Sequence, residues 1–412
     1  MSTAPVVVIG GGLVGLSCAW FLRRAGAEVV VLERGEPGGG ASCGNAGAIC
    51  PSMTEPLPAP GMIREALANL GRADAALHVA PTYAPRMARF LRRFAAAATA
   101  DRFERGLAAF GPLAAGVTAA YDELAAAGIG THARREGYLF VHATAGGAVA
   151  ERAAIARMAS MGVCDEPGDV VGGADLWALE PALGPAAVAG FLLPGERWID
   201  PSRFVDDLAA SLVADGVDLR TGTEVTGVAA FEDGVEVSTT RDRVDGAVAV
   251  VAAGAWTPRV LARLGVRLPI LAGKGYSFEV RPRAPVHRPI HLSAAHVMAT
   301  PFDGRLRLAG TVEFDGMPDA FHPARIDAIV RAAEGFLDVD LTTRDAGWVG
   351  PRPMTPDGLP YLGRVPGHDR VVVAAGHNML GLTLAPVTGR IVAGLVVDDD
   401  PGVDLAPFAV GR

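Results

Sequence analysis

Apolar and polar positions follow several distinct rhythms along this chain. The opening run Val6-Val7-Val8-Ile9 is continuously apolar and stops at glycines, the pattern of a strand buried on both faces. A helix is predicted from there to about Ala25, with Gly26 standing where a left-handed residue closes a helix at least cost. Glu28-Val29-Val30-Val31-Leu32-Glu33 then predicts a second strand, so the N-terminus forms a βαβ unit. The run PLPAPG at 56–61 interrupts regular structure, and alanine-rich helical segments follow to about Gly128. Strand-like stretches come next at 137–141, 225–231 and 235–239, with a helix near 202–215. Asp233-Gly234 between the last two strands is a hairpin signal. The apolar run 247–253 ends in Gly254 like a buried parallel strand. A second strand-rich block spans 274–314, and 371–375 followed by Gly376 restores a strand-to-helix pattern through about Val397.

Composition narrows what these elements belong to. The chain has 412 residues, 50% hydrophobic and 20% charged, which suits a large buried core and two interleaved domains. A net charge of -8 offers no general attraction to nucleic acid. Cys18, Cys43, Cys50 and Cys164 have neither zinc-site nor redox-pair spacing, so no metal site is expected and a reducing cytoplasm fits best. No basic region precedes the first apolar run to make it a secretory signal. No run approaches the roughly 20 apolar residues of a membrane span, so no transmembrane segment is expected.

Gly10, Gly12 and Gly15 form a GxGxxG turn between strand and helix. The glycines permit a tight turn and close approach of backbone to a pyrophosphate, and the helix N-terminus offers N–H groups to phosphate. Glu33, ending the second strand, is placed to accept hydrogen bonds from ribose hydroxyls. Alone the turn does not choose between FAD and a nicotinamide. Two further segments bear on that choice. Ala253-Gly254-Ala255-Trp256 is a side-chain-poor turn after the 247–253 strand. The C-terminal His377-Asn378-Met379-Leu380-Gly381-Leu382-Thr383 opens a long helix whose N-terminus would stabilise negative charge on a reduced flavin. His377 is either a flavin contact or a structural histidine.

GGGLVG with Glu33, the segment GGGASCGNAG at 38–47 and GHNMLGLTLAPVTG at 376–389 resemble the D-amino acid oxidase superfamily. SCGNAG, PLPAPG and GLTLAP resemble most the small-subunit type of D-amino acid dehydrogenases. The resemblance implies an α/β fold: a discontinuous Rossmann-like FAD-binding domain (1–90, 199–260 and 345–412) and a substrate domain with a mixed or antiparallel sheet and helices (91–198 and 261–344). It also implies FAD contacts at Leu13, Val14, Glu33, Arg34, Ser42, Asn45, Ala46 and Gly47. Val225 would meet the adenine through its backbone, and Gly381, Leu382 and Thr383 would lie at the flavin ring.

In the segment Gly350-Pro351-Arg352-Pro353-Met354, two prolines fix the backbone around an arginine. A guanidinium matches a carboxylate bidentately, and the resemblance implies that Arg352 clamps an amino-acid carboxylate. A structural ion pair is the other reading. The stretch 295–301 looks like a strand, which would put His296 and Met298 on one face. His296 would orient substrate or receive the amine proton, unless it is structural. Met298 stands where the glycine oxidase branch has a tyrosine, which argues against that specificity. Tyr276 is a candidate hydrogen-bond donor to substrate, with core packing as its alternative. Lys274 is the chain's one lysine.

The expected reaction is oxidative deamination of a small amino acid of D configuration, with hydride passing from Cα to flavin N5. Glycine, sarcosine or a cyclic imino acid is an alternative substrate, and a flavin-holding subunit without its own turnover is a further alternative. The electron acceptor would be oxygen, a quinone or another carrier. The protein is expected in the cytoplasm or peripherally at the inner face of a membrane, where the basic stretch 86–93 would lie if it is not simply a solvated helix face.

Overall fold

Four consecutive apolar residues need cover on both faces, and Val6–Ile9 obtains it near the middle of a six-stranded sheet. This is a computed structural model, which describes residues 4–62, 75–282 and 284–412. The strand order is Tyr361–Val365, His368–Ala375, Val248–Val251, Val6–Ile9, Val29–Leu32 and Asp218–Arg220. All neighbours run parallel except the first pair, which is antiparallel. One face carries Val6, Val8, Val29, Val31, Val248 and Val250 into a core shared with the helices Leu13–Arg24, Ala100–Ala126, Pro201–Ala214 and Gly381–Ala393. The other carries Val7, Ile9, Val30, Ala249 and Val251 against a three-stranded antiparallel sheet, Val225–Ala230, Val235–Thr239 and Arg243–Gly246. Helices on one side and a sheet on the other remove the need for alternation, so these strands read as apolar runs. The expected hairpin at 233–234 forms, closed by the Phe231 N–H donating to the Gly234 carbonyl at 2.8 Å.

The second body is a nine-stranded mixed sheet. Its main path runs Trp348–Met354, Leu271–Val280, Arg305–Phe314, Val297–Phe302, Ile290–Leu292, Tyr138–His142, Ala189–Leu193 and Val171–Gly172, with Leu77–Val79 pairing alongside Arg305–Phe314. The helix Pro323–Ala333 packs on it through Ile326 and Ile329.

The chain divides between the two bodies more finely than the sequence boundaries suggest. Leu77–Val79 and Trp348–Met354, expected with the nucleotide domain, hydrogen-bond into the nine-stranded sheet. Conversely, Ala100–Ala126, expected with the substrate domain, packs Phe110, Leu113, Val117 and Leu124 into the helical core over the six-stranded sheet. Alanine-rich helices carry no local mark of which sheet they will cover; only the apolar stripe they meet decides it.

The helix Gly381–Ala393 sits in the deepest part of this core. With its π-helical continuation to Asp398 it is, by length and composition, apolar enough to cross a membrane, yet it is largely buried inside the protein. It crosses Leu13–Arg24 at Gly389, where an added Cβ would lie 2.6 Å from the Ser17 carbonyl oxygen and 2.8 Å from the Phe21 ring. Because backbone rather than a flexible side chain stands in the way, Gly389→Ala is expected to destabilise the fold by about 1–3 kcal/mol through overpacking. Denaturant unfolding should show a lower midpoint with an unchanged slope. An unaltered midpoint would mean that this crossing tolerates a wider spacing.

Candidate active site

One cavity of about 1130 Å³ runs from the glycine turn to the nine-stranded sheet. Every residue expected from sequence to touch cofactor or substrate lines it, except Gly15 and Gly47, which act beneath the surface. A Cβ on Gly15 would collide with the Gly10 carbonyl oxygen, so this glycine permits helix and strand to approach. Gly47, at φ +78°, leaves room for the Ile199 carbonyl at 2.6 Å from a notional Cβ. Gly10 adopts φ +114°, where a Cβ would stand 2.6 Å from the Ala252 carbonyl oxygen.

The glycine turn leads into Leu13–Arg24 without a side-chain cap on Gly12. The Leu13 N–H donates to Ser42 Oγ at 3.2 Å, which ties the 42–47 loop to the helix start. Glu33 accepts from Gly11 N–H at 2.7 Å and from Gly35 N–H at 2.8 Å, one on each carboxylate oxygen. Each oxygen keeps a lone pair for a ribose hydroxyl. Arg34 lies 3.7 Å from the centre of the Trp256 ring, joining the end of the second strand to the 253–256 turn. Val225 lies in the cavity wall with Thr223 and Glu224.

At the other end, Gly381–Ala393 begins at Leu380 without a side-chain cap. Its first turn is held by Tyr121, whose hydroxyl donates to the Leu382 carbonyl at 2.7 Å, and by Thr383, whose hydroxyl donates to the Ala48 carbonyl at 3.2 Å. An uncapped helix start facing a cavity is a partial positive charge awaiting an anion. His377 is buried with Nε2 3.0 Å from Thr388 Oγ1, and burial pushes its pKa down to about 4. Its ring is neutral and satisfied within the protein. Met379 is half exposed at 47%. A glycine cradle with no room for Cβ atoms, a ribose-height carboxylate and a second helix N-terminus at the far end fit an extended FAD.

Arg352 lies in Trp348–Met354, and its side chain crosses Gly275 of the neighbouring strand, where any Cβ would strike the guanidinium. Its Nη1 donates to the Thr311 carbonyl at 2.7 Å. Thr311 holds φ +54°, a left-handed conformation uncommon for a β-branched residue. No carboxylate among the described residues pairs with Arg352, and burial lowers its pKa to about 10. The structural ion pair considered from sequence is therefore absent among those residues. Asn378, also left-handed at φ +53°, locks this segment in place. Its side chain accepts from the Thr355 N–H at 2.8 Å and donates to the carbonyls of Gly358 at 2.8 Å and Gly376 at 3.0 Å.

His296 and Met298 both line the cavity, but only Met298 does so from the strand expected at 295–301. Ser293–Ala295 is a 3₁₀ turn ended by His296 at φ +51°, and the strand begins at Val297. A short Ser-Ala-Ala turn closed by a left-handed residue interrupts the alternation, so the expected common face does not arise from strand geometry. The Tyr276 hydroxyl donates to Glu313 at 2.5 Å, while its ring forms cavity wall. Lys274 is fully buried and lies 3.0 Å from Glu313 and 2.6 Å from Asp315. Burial alone would raise the Glu313 pKa, but Tyr276, Lys274 and His322 outweigh it and bring it to about 2. Glu313, Asp315 and His322 have the spacing of metal ligands, yet the Lys274 ammonium already supplies the positive charge there.

Sequence reasoning missed the residues that bind the two bodies at this cavity. Arg307 donates from Nη1 to the carbonyls of Cys43 at 2.9 Å and Asn45 at 2.8 Å, and the Ser277 hydroxyl donates to the Gly44 carbonyl at 2.8 Å. The nine-stranded sheet thus shapes the loop that caps the nucleotide cradle. Nothing local marks Arg307, which sits in an ordinary alternating strand.

Cradle, uncapped helix and lone guanidinium in one cavity define the protein as a flavin-dependent oxidoreductase. A family model described as FAD dependent oxidoreductase matches residues 5–395. The chain belongs to this family, and FAD is its cofactor. It is 31% identical over 99% of both chains to a D-amino acid dehydrogenase of Rhizorhabdus wittichii. It is 33% identical, again over 99% of both, to one of Methylobacterium radiotolerans. Among solved structures it is similar in fold to glycine oxidase from Geobacillus kaustophilus (TM-score 0.74, 24% identity, 99% of this chain and 98% of that one).

Because Asn378 joins the Arg352 segment to the helix start, Asn378→Ala is expected to cost about 2–3 kcal/mol of stability. It should also weaken binding of carboxylate ligands to the flavoprotein. Calorimetric titration of a simple carboxylate against both forms checks the second part, and equal affinities would reduce Asn378 to a purely structural residue.

Proposed function

We propose that this protein catalyses the oxidative deamination of D-amino acids, and that Arg352 clamps the substrate carboxylate. The observation that carries this reading is a guanidinium on the cavity wall with no carboxylate partner among the described residues. The relatives named D-amino acid dehydrogenase support the choice of substrate.

When bound, FAD supplies the two-electron oxidation by accepting a hydride from the substrate Cα. The chain's own residues do the rest by position. Arg352 offers a planar fork to the carboxylate, aimed by the Thr311 carbonyl and by Asn378 behind it. The ring of Tyr276 and the Met298 side chain wall the cavity and limit water around the reacting carbon. The helix start at Gly381 places unbonded N–H groups where negative charge accumulates. Orientation in a low-dielectric pocket accounts for the rate gain once the amine is neutral, and the imino product hydrolyses in water.

For the onward electron acceptor, the helix Ala84–Ala97 supports a membrane-held quinone. Arg86, Arg89 and Arg92 project outward, while Met87, Phe90 and Phe94 face the cavity. The same arrangement supports a peripheral location at the inner face of a membrane.

The test is anaerobic flavin bleaching against a panel of D-, L- and N-methyl amino acids and their decarboxylated amines. D-amino acids should bleach the flavin and the amines should not. Arg352→Ala should lose about 100-fold or more in kcat/KM, with Arg352→Lys between it and the native protein. Amines that bleach as well as the amino acids would sink the clamp.

A further inference from the structure

The strap 50–57 forms one wall of the cavity, through Cys50, Met53, Glu55 and Leu57, and it is tied down at three places. At one end the Cys50 N–H donates to Thr383 Oγ1 at 3.3 Å, in the first turn of the helix that begins at Gly381. At the other, Pro56 packs against Gly106 and Gly358, neither of which leaves room for a Cβ. Between them lies the 3₁₀ turn Pro51–Met53, where Ser52 and then Thr54 are buried on the side away from the cavity.

The middle tie comes from the substrate body. Glu196, in the turn between Ala189–Leu193 and Arg197–Trp198, is 3% exposed, and its Oε1 accepts from the Ser52 N–H at 3.1 Å. Among the described residues Oε2 has no hydrogen-bond partner, and the Ser52 hydroxyl faces the carboxyl without completing a bond to it. The surroundings disfavour a negative charge. Cys50, Tyr138 and Cys164 stand close by, within or against an apolar cluster that includes Phe140, Phe191 and Trp198. Asp165 packs on Gly195 and adds repulsion, while the Arg197 guanidinium is directed to Asp122 at 2.6 Å. Burial raises the Glu196 pKa, the Ser52 hydroxyl and N–H lower it and Asp165 raises it again, to about 8. Burial pushes the Cys50 and Cys164 thiols up to about 12 and raises the Tyr138 phenol, so these groups stay neutral while Glu196 titrates. Glu55 lies on the cavity side of the strap, its carboxyl pushed up by burial with Glu151 nearby.

A carboxyl held above its ordinary value of 4.5 binds its proton more tightly under the closed strap than under a strap lifted into water. Closure is therefore strongest at low pH. It weakens as the pH rises from 4.5 to about 8 and levels off once Glu196 is charged in both arrangements.

We propose that Glu196 is a positioning residue for the active-site wall: as a neutral carboxyl it ties the 50–57 strap to the body of the nine-stranded sheet, and loss of its proton loosens the strap and the cavity's hold on a ligand. Glu196 does not line the cavity and acts through Ser52. The strap carries the effect to both ends of the site, because it is fixed at Thr383 beside the helix start and at Gly358 in the loop that follows Arg352.

Amide hydrogen exchange of the flavin-loaded protein, corrected for the intrinsic acceleration of exchange with pH, reads strap opening directly. In the native protein the protection of residues 50–57 should fall by about tenfold per pH unit and level off at about pH 8. Glu196→Gln keeps a neutral group of the same shape and should lose that dependence; Glu55 is present in both proteins, so the difference between them belongs to Glu196. Hexanoate, which has no amine and stays ionised above about pH 6, should bind the native protein less tightly over the same interval and Glu196→Gln equally well throughout. Level strap protection in the native protein overturns the proposal, as does a pH dependence that survives Glu196→Gln. A change of equal size at the Val6–Ile9 amides would make Glu196 a general stabiliser of the fold, and a hexanoate affinity that ignores strap opening would leave the site untouched; either result overturns the positioning role. None of these measurements uses an amino-acid substrate, so their outcome is independent of the amino-acid reading.

Discussion

A half-buried guanidinium left without a carboxylate among the described residues is the constraint around which this site is organised. Leaving Arg352 charged inside protein demands that its backbone be rigid, its hydrogen bonds be aimed and its empty side open to a ligand. Each demand is met by a residue that breaks a local rule. Gly275 gives up a side chain so that the guanidinium can cross its strand. Thr311 accepts a left-handed backbone, and its carbonyl receives the arginine. Asn378, left-handed as well, spends its amide on the loop that follows Arg352. Strained conformations concentrated around one side chain are what a binding site requires and a plain core does not.

The same cavity depends on two bodies being held in fixed relation. The six-stranded sheet provides the nucleotide cradle and the helix start at Gly381, and the nine-stranded sheet provides Arg352, Tyr276 and Met298. Arg307 and Ser277 reach from the second body to the backbone of 43–45, while Tyr121 and Thr383 secure the helix start from within the first. These are hydrogen bonds to carbonyl groups rather than between side chains. They position backbone, and backbone is what approaches a dinucleotide most closely.

The buried ammonium of the neighbouring strand shows a different arrangement. Lys274 lies between Glu313 and Asp315 with Tyr276 and His322 around them, a closed group whose hydrogen bonds are internal. Tyr276 therefore contributes its ring rather than its hydroxyl to the cavity. Arg352 has no such carboxylate partner among the described residues, and its guanidinium stays open to the cavity.

Short-range patterns were enough to reveal the nucleotide cradle, the Asp233-Gly234 hairpin, the buried parallel strands and the proline-framed arginine. Each depends on backbone preferences within a few residues: glycine at positive φ, apolar runs bounded by glycine, proline fixing its neighbours. The strand expected at 295–301 begins only at Val297, because alternation cannot show that His296 turns left-handed. The helix Ala100–Ala126 joined the nucleotide body although it lies in sequence beside the other, since alanine-rich helices take their place from whichever apolar face they meet. The pairing of Arg307 with the 43–45 backbone and the Asn378 lock were invisible for the same reason. They are contacts between residues far apart in the chain, and only close packing of the two sheets decides which polar groups find partners and which are left for a ligand.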